Sequence, residues 1–238
     1  NKQAFAIGRW AYLHPDAAQL GGSGVSAVAD FETLVRARAD HLVVYQGRRL
    51  EQKYRALVQQ AASVDADRGF AVAKGYHKLL SYKDEYEVAR LHVTALQDHL
   101  DHSFSAIKSL KFSMAPPILA RKDAQGNPRK TTFGPWFLSV LKVLARFKFL
   151  RGTALDPFHY LADRKLERAL IAQYEDDMRT AIANFSPDNS EAVYALAGLP
   201  LQIRGFGHVK RASADKAAVR REQLLAQIAQ GPTQMAAE

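Results

Sequence analysis

The sequence predicts a mainly α fold: a multi-helix, bundle-like domain of about five to seven helices, with a small β hairpin inserted near residues 108–134. Apolar residues recur at three- and four-residue steps along most of the 238-residue chain, which is the period of an amphipathic helix. The pattern changes around 109–134, where apolar and polar residues alternate and two adjacent prolines, Pro116 and Pro117, forbid a continuous helix.

The helices are predicted in order from their apolar spacing and their end signals. The first strong pattern runs over about 31–63, with a bend expected near Gly47. A later helix is expected to open at Asp156-Pro157, because proline early in a helix costs little, and to run over about 157–184. The other predicted helices span 3–19, 67–82, 84–92, 136–150, 188–198 and 213–229.

The hairpin is predicted from alternation and turn chemistry. Phe112 and Met114 alternate with polar neighbours, and the turn-rich letters DAQGNP place the tip near Gly126–Pro128. A two-stranded hairpin is stable only when it lies on something else, so we expect it to pack on the helical body.

The N-terminal stretch is expected to belong to another unit. The letters GGSGVS at 21–26 are typical of a flexible connector. We therefore predict a boundary near residue 22, with 1–22 as the tail of a preceding domain and its linker and 23–238 as the helical domain.

Composition excludes several classes of chemistry. The chain has no cysteine, which excludes disulfides, cysteine-ligated iron–sulfur clusters, thiolate zinc sites and cysteine nucleophiles. It has no run of about 18 apolar residues and no basic-then-apolar leader at its start. These observations favour a cytoplasmic location with no membrane partner.

Positive charge is gathered in one segment. The formal net charge is +9, and ten basic residues face a single acid, Asp123, between Lys108 and Arg151. The rest of the chain is therefore neutral overall. Any function that needs positive charge is expected to use this middle third of the chain.

Four segments resemble the C-terminal domain of the fused, single-chain indolepyruvate ferredoxin oxidoreductases. They are YKDEYEVARLH at 82–92, APPILARKD with GNPRKTTFGPWFL at 115–138, RGTALDPFHY at 151–160, and LPLQIRGFGHVK at 199–210. The first letters, NKQAFAIGRW, resemble the end of that family's gamma-type domain.

The resemblance implies an oxidoreductase whose catalytic parts lie elsewhere. Such enzymes decarboxylate aryl-2-oxoacids to acyl-CoA and reduce ferredoxin, with thiamine diphosphate, magnesium and iron–sulfur clusters. None of their catalytic residues has a matching position here, so no catalytic residue is predicted. The expected role is a non-catalytic structural or docking domain whose partners are the other domains of the enzyme, with ferredoxin as a further candidate partner.

Two polar segments are candidate sites. In the first, a polar cluster could bind a ligand or dock a neighbouring domain, or could simply form a capped helix start; its members are Lys83, Asp84, Glu85, Glu87 and Arg90. In the second, Gly205 and Gly207 could let an anion approach the backbone, with charge from Arg204, His208 and Lys210. The alternative for the second is a tight loop between two helices.

The basic middle segment has several possible partners. Arg121, Lys122, Arg129 and Lys130 could steer acidic ferredoxin, hold the phosphates of CoA or of a nucleic acid, or face an acidic surface of the same enzyme. A plain solvated face remains the alternative, and no nucleic-acid module is recognised.

The helix at 136–150 is expected to pack its apolar stripe into the body rather than bind a membrane surface. That stripe comprises Phe137, Val140, Leu141, Leu144 and Phe147.

Two further kinds of site are not predicted. His92, His99 and His102, with Asp98 and Asp101, match no strong metal motif, so no metal site is expected. No Gly-x-Ser-x-Gly elbow supports a hydrolase.

Overall fold

The mainly α fold with a small hairpin is confirmed by the computed structural model, which describes residues 30–103, 110–115 and 129–229. Within these residues lie eight α-helices and one two-stranded antiparallel sheet. The elements are α1 Phe31–Tyr45, α2 Arg48–Val64, α3 Ala66–Leu80, α4 Glu85–Ser103, β1 Phe112–Met114, β2 Thr131–Phe133, α5 Phe137–Arg146, α6 Ala162–Ala183, α7 Ser190–Gly198 and α8 Gly207–Ala229. Short 3-10 helices span Phe147–Leu150, Pro187–Asn189 and Leu199–Gln202.

The long helix expected over 31–63 is two helices, α1 and α2, separated at Gly47. Gly47 has φ +137°, a conformation that residues with a side chain rarely adopt, so the chain breaks there instead of bending. This break takes the number of helices above the predicted range of five to seven. The next junction is equally short: the side chain of Asp65 accepts a hydrogen bond from the Arg68 N–H and so starts α3.

The main core joins α1, α2, α3, α6, α7 and α8. Its centre is a ladder of buried phenol rings, with Tyr76 stacked between Tyr54 and Tyr174 at centroid distances of 6.1 Å and 5.8 Å. Gly75 lies beside this ladder. A Cβ added there would come within 2.4 Å of the Ala197 carbonyl oxygen, so α3 and α7 approach each other where only glycine fits.

A second apolar cluster joins α4, the hairpin and α5. Ala89, Phe112, Phe137 and Leu141 are buried in it. Phe112 pairs with Phe133 across the hairpin, and the Phe133 ring stacks on Phe137 at 4.2 Å. The hairpin therefore rests on α5, as expected from its small size, and its predicted tip at 126–128 lies outside the described residues.

Three predicted helix ends are wrong. Asp156-Pro157 does not open a helix: residues 151–160 form successive turns and α6 begins at Ala162. The last helix begins at Gly207 rather than 213, and α4 continues to Ser103, past the predicted end at residue 92. The predicted helix 3–19, the connector 21–26 and the boundary near residue 22 lie outside the described residues.

Candidate functional site

Asp84 and Arg151 form a buried ion pair between segments 67 residues apart. Their side chains are 2% and 3% exposed, and Asp84 accepts from Arg151 Nε at 2.5 Å and from Nη2 at 2.9 Å. Asp84 also caps α4, since its Oδ1 accepts from the Glu87 N–H at 2.8 Å. The predicted docking residue Asp84 is therefore held inside the protein.

Arg151 also completes the end of α1. Its Nη1 donates to the Tyr45 carbonyl at 2.9 Å, and its guanidinium lies 3.7 Å from the centroid of the Tyr45 ring. Lys148 donates from Nζ to the Val44 carbonyl at 2.5 Å. The last carbonyls of a helix have no partner within the helix and carry partial negative charge, so these two cations stabilise the C-terminus of α1.

Asp156 holds the turns at 151–160 against α4. Its carboxylate accepts from the Tyr86 hydroxyl at 3.0 Å, from the Phe158 N–H at 2.9 Å and from the Gly152 N–H at 3.0 Å. Asp156 therefore stabilises a buried turn and does not start a helix. Burial and the hydrogen bond to Asp156 raise the pKa of Tyr86 well above its ordinary value.

The two predicted polar clusters meet in one chain of ion pairs. Glu167 of α6 accepts from Lys210 Nζ at 2.6 Å and also from Arg164. Arg164 Nε lies 3.5 Å from Glu85 Oε2 at the start of α4. The chain Glu85–Arg164–Glu167–Lys210 therefore links α4 and α6 to the first turn of α8.

Burial governs the ionisation of the acids in this chain. Loss of solvent raises the pKa of Glu85 and of Glu167, while Arg164 acts on both in the opposite direction. Glu87, a predicted docking residue, is also buried. It accepts two bonds from Arg90, at 2.8 Å and 2.6 Å, and that pairing raises the pKa of Arg90. Of the five predicted docking residues only Lys83 is exposed.

The proposed anion loop at 204–210 is partly engaged in the fold. Gly205 and Gly207 both have positive φ, +94° and +54°. Lys210 is committed to Glu167, whereas Arg204 and His208 are exposed. Anion binding there stays a prediction that would depend on these two exposed side chains.

The apolar face of α5 is wider than the body covers. Phe137 and Leu141 are buried as predicted, but a parallel stripe at i, i+4, i+7 and i+11 faces outward. Trp136, Val140, Val143 and Phe147 are 62%, 43%, 55% and 44% exposed. We call these four residues the outer face. The predicted packing of Val140 and Phe147 into the body is wrong, because only Phe137 and Leu141 of the predicted stripe are buried in the second cluster, while Val140 and Phe147 are exposed.

Exposed cations lie in the same part of the fold as the outer face. Lys142 and Arg146 belong to α5, and Arg129 and Lys130 directly precede β2. In the part of the chain that the structure describes, none of these four forms an ion pair. Arg121 and Lys122, predicted with Arg129 and Lys130 as partner-binding residues, lie outside the described residues.

The buried network includes residues that sequence reasoning missed. Arg151, Arg164, Glu167 and Asp156 were not predicted as site residues, since each pairs with a distant segment. A local signal was available at Gly152 and Asp156, because glycine and aspartate are common turn residues. It competed with the interpretation of Asp156-Pro157 as the start of a helix.

Neither a metal-binding group nor a membrane-spanning helix is present among the described residues. Among them, no group of three or more His, Asp or Glu is placed to hold a metal ion. No helix described by the structure is long and apolar enough to cross a membrane. Of the residues His92, Asp98, His99, Asp101 and His102, for which no metal site was expected, only His92 has a described side chain.

Fold and site define a helical bundle domain that carries a hairpin-bearing second cluster and presents an exposed apolar face. The chain belongs to DUF6537, a family of unknown function whose model matches residues 31–223. No curated protein and no solved structure matches the chain.

Proposed function

We propose that this chain is a non-catalytic docking domain of a larger oxidoreductase of the indolepyruvate ferredoxin type, and that it docks through the outer face. In this proposal the other domains bind thiamine diphosphate, magnesium and the iron–sulfur clusters and carry out the oxidative decarboxylation. The observation that carries the proposal is the stripe of Trp136, Val140, Val143 and Phe147, four large apolar side chains exposed side by side.

An exposed stripe of this kind needs an explanation. Single apolar residues on a surface are ordinary, but contiguous ones mark interaction sites. Aromatic residues are enriched where interfaces gain their binding energy, and Trp136 and Phe147 stand at the two ends of the stripe. Phe149, in the 3-10 helix that follows α5, is 62% exposed and extends the apolar surface.

The arrangement of the resembling segments supports the same proposal. Ion pairs and hydrogen bonds join 82–92 to 151–160 through Asp84–Arg151 and Tyr86–Asp156. The 199–210 segment joins them through Lys210 and Glu167. Three of the four segments are thus connected to one another, and the part of the fourth at 129–138 contributes Phe133 and Phe137 to the second cluster.

A second candidate is an independent module that binds an acidic partner such as ferredoxin, CoA phosphates or nucleic acid. The observation that favours it is the group of exposed cations at Arg129, Lys130, Lys142 and Arg146. Such charges raise association rates more than they raise affinity, and their effect falls as salt rises.

The test is a binding measurement with a matched pair of variants. The chain is titrated against the thiamine- and cluster-binding polypeptide of an indolepyruvate ferredoxin oxidoreductase from the same source, at about 0.1 M and about 0.5 M salt. Val143→Asp places a charge on the outer face and is expected to weaken binding at least tenfold. Val219→Asp, at a similarly exposed position of α8, should leave it unchanged.

Each outcome separates the candidates. Docking through the outer face predicts binding that persists at the higher salt and no turnover of indolepyruvate by the chain alone. Binding to ferredoxin that disappears at the higher salt and ignores Val143→Asp would favour the second candidate. Equal binding by the two aspartate variants at both salt concentrations would refute docking through the outer face.

A further inference from the structure

A groove of about 590 Å³ lies between α4, the hairpin and α5. Its walls are mostly apolar, and the side chains that matter here are Val88, Met114, Phe137, Leu141, Leu144 and Phe158. The volume falls within the range of small-molecule sites, roughly 300–1,000 Å³. The groove explains why Met114 and Leu144 are only partly buried although they belong to the second cluster.

The lining of the groove has an excess of positive charge, because its two acids are paired with arginines and its two lysines are not paired with acids among the described residues. Asp84 is neutralised by its ion pair with Arg151, and Glu85 Oε2 lies 3.5 Å from Arg164 Nε. Lys83 and Lys130 also line the groove and are exposed, and neither has an acidic partner among the residues that the structure describes. Lys83 lies just before the N-terminus of α4, where the helix dipole adds positive potential.

We propose that this groove binds a small amphipathic anion, a molecule with an apolar body and one carboxylate, such as a medium-chain fatty acid. The apolar body lies along the walls of α4 and α5, and the carboxylate interacts with Lys83 and Lys130. The proposal is independent of docking, since only Val140 belongs to both the groove and the outer face.

Charge complementarity decides for an anion. A cationic head group would meet two lysines that have no acidic partner among the described residues, and two carboxylates that already have arginine partners. A neutral apolar molecule would leave both lysines without a counter-charge, so it should bind more weakly than the matching carboxylate. Glu85 is the acid with the weaker partner, because its Oε2 is buried and forms no hydrogen bond among the described residues.

The test uses the intact chain and anilinonaphthalene sulfonate, a fluorescent amphipathic anion. We expect saturable binding that decanoate displaces and that decyltrimethylammonium does not. Lys83→Glu and Lys130→Glu should each weaken probe binding roughly five- to tenfold, since each reverses an exposed charge at the site. Lys142→Glu, which reverses an exposed lysine of α5 outside the groove, should leave binding unchanged. Glu85→Gln should tighten it, because one negative charge is removed.

The outer face is the competing site for an apolar probe, and Val143→Asp controls for it. Unchanged probe binding by that variant supports the groove, whereas its loss would place the probe on the outer face and overturn the proposal. The absence of saturable binding, equal effects of Lys142→Glu and Lys83→Glu, or displacement by the cationic detergent would overturn it as well. None of these results bears on docking to a partner polypeptide.

Discussion

Replacing Arg151 with methionine removes one of the cations that join the second cluster to the bundle. Asp84, whose side chain is 2% exposed, would then keep its charge without a partner, and the Tyr45 carbonyl would lose its donor. Breaking a buried ion pair from one side costs about 3–5 kcal/mol. For a domain of this size that loss corresponds to a fall in Tm of roughly 6–20 °C.

The assay is urea unfolding followed by far-ultraviolet circular dichroism, with two further variants. Asp84→Asn in the Arg151→Met background removes the uncompensated charge and keeps an oxygen to cap α4, so it should recover about 1 kcal/mol or more. Lys142→Met, which removes an exposed cation, should change stability by less than about 0.5 kcal/mol. A loss below about 1 kcal/mol for Arg151→Met would refute the idea that this pair joins the two cores.

Three further predictions concern the bundle. Burial, with Arg38 and His41, lowers the pKa of His77 from 6.5 to about 3, so below pH 6.5 the unfolded chain binds a proton at His77 that the folded chain does not bind. The free energy of unfolding, measured with a chemical denaturant, should therefore fall by about 2 kcal/mol between pH 7 and pH 5. His77→Gln should remove this pH dependence. Burial raises the pKa of four tyrosines of the bundle above 10, namely Tyr45, Tyr54, Tyr76 and Tyr174. The free energy of unfolding should therefore fall as pH rises, by about 1.4 kcal/mol per buried phenol at pH 11. An absorbance titration should show these phenols ionising as the protein unfolds and not before. Gly75→Ala should cost about 1–3 kcal/mol in thermal melts because its Cβ meets the Ala197 carbonyl oxygen, whereas Gly198→Ala, which meets nothing within 4 Å, should be neutral or slightly stabilising.

Local patterns predicted most of the helices because their cause is local. Apolar residues at helical spacing mark the buried side of α2 and α3 whatever they pack on, and the alternation of Phe112 and Met114 marks β1. The same reasoning failed at Asp156, where the side chain bonds to Gly152, Phe158 and Tyr86 and so favours turns over a helix start.

The buried ion pairs could not be predicted in this way. Arg151 belongs to a run of cations, and such a run is ordinarily solvated, so nothing in its neighbourhood reveals a partner 67 residues earlier. The width of the apolar face of α5 was visible in the sequence. How much of that face is covered depends on where α4 and the hairpin pack. The spacing of apolar residues within α5 gives no information about their positions.

The glycine between α1 and α2 allows α1 to fold back and pack on helices of its own chain. If Gly47 adopted helical angles, residues 31–64 would form a single rod of about 50 Å, and α1 could no longer fold back on α2 and α3. Its buried side would then have to pack on a second molecule, in a domain-swapped dimer. Gly47→Ala penalises the observed turn and favours the rod, so on a sizing column at high protein concentration it should elute as a larger species than the unaltered chain.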